Sequence, residues 1–260
     1  LAQAAPILPG ASADAGAARC VPAMGVSTAA GLAAASAAGR VANRLFQRVV
    51  PSPQVVDGFP RWRWVLSAVT QATVFPSLLL LAWGAPAAGG PSWDWLALPA
   101  SEAPNGARWY VYALVASQTR DMFPMPPAAS ATMRVHHWVV VLACLLALHA
   151  PQGFGLFVLG TFVLEMGSMT FNLRKLYPES RAVEILYQAC MLCSNLAALA
   201  GGVVLLRMDA IPVWMKAIYF VADVGVVIGR QLHALKDAGL MGAHAAREAP
   251  TSRGALAGGR

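Results

Sequence analysis

The sequence predicts an all-α, polytopic membrane helix bundle of about six spans, preceded by an amphipathic interfacial helix. Three observations carry this. Only 12% of the 260 residues are Asp, Glu, Lys or Arg, against about a quarter in soluble domains. Hydrophobic residues make up 57%, and the mean hydropathy is +0.55. The basic residues flank apolar runs and fall overwhelmingly on one side of them. The formal net charge of +7 and pI of about 9.7 would suggest nucleic acid in a soluble protein. Here anionic lipid headgroups are the expected counter-charge, and no nucleic-acid partner is expected.

Residues 1–26 are Ala/Pro/Gly-rich without periodicity and read as an irregular extension. The chain begins with Leu1, which suggests a processed or incomplete product. Residues 15–50 contain no acidic residue and are rich in Ala, Ser and Arg, like the end of an organelle transit sequence. Residues 27–50 have helical periodicity. Arg40, Arg44 and Arg48 form one stripe, and Val41, Leu45 and Val49 lie about a third of a turn away. The stretch "PSPQ" ends that helix.

The apolar runs follow at 62–84, 108–124, 135–150, 153–173, 184–206 and 211–230. The second and third are short. "FPMPP" ends the second, and "HAPQG" turns the third into the fourth. The 85–107 loop carries Trp93 and Trp95, as an interfacial aromatic belt would. Residues 60–232 form the bundle, and 233–260 form a polar, Gly/Ala-rich tail. With these spans, every basic residue except Arg108, Arg207 and Lys216 falls on the side of the two termini. That side is expected to be cytosol, matrix or stroma.

Three of the four cysteines, Cys144, Cys190 and Cys193, lie inside apolar runs, so no secreted disulfide framework is implied. Cys190 and Cys193 share a helix face, but a metal site needs two more ligands. They read as packing residues, with no metal expected.

Polar residues at membrane depth are costly and are the candidates for function. Glu165 lies nine residues before Arg174, roughly 13 Å below the basic boundary. Gln71 lies ten residues past Arg61, at about the same depth. His136 and His137 sit within a turn of Arg134. Asp121 and Asn172 are near the same level. Asp223 is mid-span, seven residues from both Lys216 and Arg230. Most of this set clusters toward the basic side, where it can line a cavity open to headgroups.

The segments "RDMF", "RVHHWVVV" and "LEMGSMTFNLRKL" together resemble the TLC-domain family, which includes the ceramide synthases and their non-synthase relatives. The matching positions are Asp121, then His136 and His137, then Glu165, Ser168, Asn172 and Arg174. The resemblance spans roughly residues 60–232. It implies a bundle of membrane helices that handles lipids. In the synthase branch it implies acyl transfer from acyl-CoA to a sphingoid amine, with His136 or His137 as general base. The chain is closer to the non-synthase branch. It has Glu165-Met166-Gly167-Ser168 in place of an Asp-rich segment, and Gln71 where the family often has a histidine.

Two functions are therefore expected. The first is a lipid-binding or structural accessory subunit of an organelle-membrane complex, with bound phospholipid, membrane-protein partners and no catalytic role. The alternative is an acyl-CoA-dependent lipid N-acyltransferase. The expected location is an organelle inner membrane, mitochondrial or plastid, with endoplasmic reticulum as the alternative. No inverted repeat points to a transporter.

Overall fold

The computed structural model describes residues 26–50, 54–84, 93–123 and 131–237. Nearly all of the expected N-terminal extension (1–25), part of the 85–107 loop (85–92), most of "PSPQ" and "FPMPP", and tail residues 238–260 lie outside the described residues.

The first element is α1 (Val26–Val49), followed by a short hairpin of β1 (Val55–Val56) and β2 (Phe59–Pro60). A continuous rod comes next: α2 (Arg61–Val69), a π-helical turn (Thr70–Val74) and α3 (Phe75–Trp83). The remaining helices are α4 (Asn105–Met122), α5 (Ala131–Ala147), α6 (Phe154–Leu176), α7 (Arg181–Leu206) and α8 (Val213–Asp237). The protein is thus mostly helical. The hairpin is the small departure from an all-α chain. Its turn is Asp57-Gly58, both at positive φ (48° and 80°), the geometry that favours Asp-Gly.

Among the described residues, three helical stretches are long and apolar enough to cross a membrane: Arg61–Trp83, Phe154–Leu176 and Arg181–Leu206. The first two have 23 residues each and reach roughly 35 Å, more than the ~30 Å hydrocarbon core. The segment is consistent with an integral membrane protein. The other expected spans are helices in the expected places, but they fall short by this criterion. α5 is too short. α4 carries Arg108, Gln118, Arg120 and Asp121, and α8 carries Lys216, Asp223 and Arg230.

The expected short second run, α4, is the hub of the core. Ala107, Tyr110, Val111 and Leu114 on it have no exposed surface. α1, α3 and α5 all pack on it. Being surrounded by protein, α4 can carry polar residues without facing lipid. Large apolar side chains such as Leu80, Leu142, Leu196, Ile218 and Val221 point outward instead. A soluble protein would bury many of these.

α1 differs from a helix lying free at the interface. A Cβ at Gly31 would overlap the Tyr112 ring, so the first half of α1 is seated closely on α4. Its second half leaves Val41, Leu45 and Val49 exposed, beside exposed Arg40, Arg44 and Arg48. The tryptophan belt also needs correction. Trp93 is exposed and stacks on Trp83 at 5.8 Å. Trp95 is buried at 5% exposure, against Gly155 of α6. It packs inward because the α5–α6 turn docks onto its loop: Gly153 and Phe154 donate backbone N–H groups to Ala97 and Leu98.

The π turn has a local cause. Pro76 has no N–H and its ring crowds the carbonyl four residues back, so the ladder widens just before it. The widened turn contains Gln71.

Two glycines separate close packing from open space. A Cβ at Gly106 would come within 2.6 Å of the Leu78 carbonyl oxygen, where α4 crosses α3. A Cβ at Gly160 would meet nothing within 4 Å. Gly106→Ala is expected to destabilise the fold by about 2–3 kcal/mol. Gly160→Ala is expected to stabilise it slightly through helix propensity, by at most ~1 kcal/mol. Thermal unfolding of the purified variants in detergent checks the opposite signs.

Candidate functional site

The centre of the site is Glu165 on α6, which is 7% exposed. Its carboxylate accepts from two amides. Gln71 Nε2 donates to Oε2 at 2.6 Å, and Gln118 Nε2 donates to Oε1 at 3.3 Å. Each amide is itself held from behind. Asn172 Nδ2 donates to Gln71 Oε1 at 2.7 Å, and Gln118 Oε1 bonds to His137 Nδ1. The chain Asn172–Gln71–Glu165–Gln118–His137 ties the π turn, α4, α5 and α6 together. All five side chains are 6–7% exposed.

This chain has a direction. Both amides turn their N–H groups toward Glu165 and their oxygens away. Gln118 therefore presents an acceptor to His137, which assigns the His137 proton to Nδ1. Asn172 and Glu165 are seven residues apart on α6 and share a face, so one glutamine reaches both.

A second network surrounds Arg230 on α8. Its Nη1 donates to Ser168 Oγ at 2.6 Å and its Nε to Asn195 Oδ1 at 3.0 Å. Its Nη2 donates to the Leu164 carbonyl at 3.0 Å and approaches Ser194 Oγ at 3.3 Å. Asn195 passes the chain on to Gln231 at 3.0 Å. A cation at this depth is tolerable only when bonded in this way.

Between the two networks lies a cavity of about 360 Å³. α5, α6, α7 and α8 enclose it, and most of its lining is Val, Leu, Ala, Gly and Phe. His136, Glu165 and Arg230 meet at one end. Tyr219, Phe220 and Phe157 lie toward the other, roughly 16 Å away along α8. The space exists because α5 packs on α4 while α6 packs on α7, leaving α5 and α6 apart.

The sequence-predicted site residues therefore separate into groups. Gln71, Glu165, Asn172 and His137 come together. His136 lines the cavity, and its ring lies 5.6 Å from that of His137. Asp121 does not join them: Arg120 holds it at 2.8 and 3.1 Å and also donates to Ser67. Ser168 belongs to the Arg230 network. Arg174 bonds to Glu184 and lies over the Tyr187 ring. Cys190 is half-buried and Cys193 is exposed on α7.

Sequence reasoning missed Gln118 and Arg230. Gln118 precedes a charged pair and drew no reading, and Arg230 ends an apolar run and read as a basic-side residue that could pair with Asp223. The available signal was spacing. Gln118 lies one turn before Met122 on the buried face of α4, and Arg230 is two turns from Asp223 on one face of α8.

Comparison with protein-family models, curated proteins and solved structures returns no match.

Gln71→Leu would leave both Glu165 and Asn172 short of a partner, with an expected loss of about 2–4 kcal/mol. Glu165→Leu in addition would cost less than the sum of the two, because they share a bond. Unfolding of the single and double variants in mixed micelles measures the coupling.

Proposed function

We propose that the chain is a six-span, TLC-like membrane protein that binds a lipid chain in this cavity without transforming it. On this reading it is an accessory subunit in an organelle inner membrane, mitochondrial or plastid. The observation that carries the proposal is the cavity itself. A mainly apolar slot with His136, Glu165 and Arg230 at one end matches a chain with a head.

Further features support parts of the reading. The outward apolar side chains on α3, α5, α7 and α8 suit six spans, α8 included. The exposed Arg40, Arg44 and Arg48 suit anionic headgroups on the basic side, which would be matrix or stroma. The family resemblance rests on the motif residues alone, and Gln71 bonded to Glu165 and Asn172 gives those residues a shared role in holding the bundle.

The histidine pair favours binding over catalysis. A general base needs both orientation and access. Here the two are divided. His137 is oriented by Gln118 but is buried outside the cavity lining. His136 faces the cavity but has no hydrogen-bond partner among the described residues. One observation keeps the acyltransferase reading as the second: His136 lines the cavity together with Glu165 and Arg230.

The test is bound lipid in purified protein, read by native mass spectrometry, together with an acyl-transfer assay. Wild type and His136→Ala are expected to carry lipid, and Gly160→Phe to lose at least tenfold by filling the slot. Acyl-CoA-dependent turnover by wild type that disappears in His136→Ala would overturn the non-catalytic reading. Absence of lipid from wild type would overturn the cavity's assignment.

A further inference from the structure

One carboxylate on the wall of the cavity has no partner among the described residues. Asp223 lines the cavity on α8, seven residues or roughly 10 Å from Arg230. Its carboxylate has no hydrogen bond or ion pair among the described residues. The nearest cations on its own helix, Lys216 and Arg230, are each two turns away. Arg230 already serves Ser168, Asn195, Ser194 and the Leu164 carbonyl.

Tyr219 lies one turn before Asp223 on the same face. Its side chain lines the cavity, but its buried hydroxyl, which has no hydrogen-bond partner among the described residues, is not presented to that space. The opposing wall offers no relief: Thr161 spends its hydroxyl on the Phe157 and Val158 carbonyls of its own helix.

The position of Asp223 is accommodated by the neighbouring helix. A Cβ at Gly202 on α7 would come within 2.6 Å of Asp223 Oδ2. The glycine leaves room for the carboxylate at that point and no more. A carboxylate left unsatisfied in an apolar slot is costly. An occupant that is apolar throughout would leave it so.

We infer that the cavity takes a chain lipid bearing a hydroxyl partway along its length, bonded by Asp223. This rests on the lipid-binding reading and specifies its ligand. The lipid's head lies at His136 and Arg230, and the hydroxyl lies about 10 Å further in. The hydroxyl donates to the Asp223 carboxylate. A hydroxyl fits better than an ammonium group, because carrying a full charge to this depth costs more desolvation.

The experiment is competition against a fluorescent fatty-acid probe, using the purified full chain. The competitors are octadecanoic acid, its mid-chain hydroxy derivative and its mid-chain amino derivative. Wild type is expected to bind the hydroxy acid about tenfold more tightly than the plain acid. Asp223→Leu is expected to abolish that preference while still binding the plain acid, which also shows that its fold is intact. Equal binding of the plain and hydroxy acids by wild type would overturn the inference and leave the lipid cavity standing. So would a preference that survives in Asp223→Leu. Tighter binding of the amino acid than of the hydroxy acid would overturn the choice of hydroxyl. Failure of all three to displace the probe would overturn the lipid-cavity reading on which the inference rests.

Discussion

The bundle is organised around one buried carboxylate. Glu165 sits on an apolar helix, where a carboxyl group without partners would be among the most expensive groups to place. The amides of Gln71 and Gln118 meet that demand from two sides, and Asn172 and His137 then meet the demands of the amides. Each bond fixes a helix. Gln71 sets the rotation of the π turn, Gln118 that of α4, and His137 that of α5. A network of this kind specifies one packing arrangement, because a rotation of any member strands a polar atom.

The same constraint makes the cavity. α5 is held at its basic end through His137 and Gln118, on the side of α4. α6 is drawn against α7, and Gly167 lets Ser194 and Arg230 approach it closely. Between these two attachments α5 and α6 diverge, and small residues such as Gly160 and Gly201 leave the gap unfilled. A void lined mainly by apolar side chains in a membrane protein is a natural place for a lipid chain. The polar groups around it then decide how that chain is oriented.

Depth along the helices was readable from sequence, and lateral placement was not. Counting residues inward from Arg61 and Arg174 put Gln71 and Glu165 at one level, and they are hydrogen-bonded. The same count cannot separate His136 from His137, because adjacent residues on a helix differ by about 100° in direction and hardly in depth. That rotation sends one ring into the cavity and the other into the network. Nor does depth show that Asp121 turns sideways to its neighbour Arg120. The helix order was visible in apolar runs, but α4 looked weak because its partners are protein rather than lipid. Trp95 looked interfacial for want of any signal that the α5–α6 turn docks onto its loop. The turn signal Asp57-Gly58 was present, and Lys175 pins it to the end of α6 at 2.6 Å.

On the proposed reading, the slot between α5 and α6–α8 holds a lipid chain with its head at His136 and Arg230. The most direct measurement is a high-resolution cryo-electron microscopy structure of the protein in lipid nanodiscs. The account predicts continuous elongated density within the cavity, ending beside Arg230, with the Gln71–Glu165–Gln118 bonds intact. A slot closed by contact between α5 and α6, or one holding only discrete water-sized density, would contradict it.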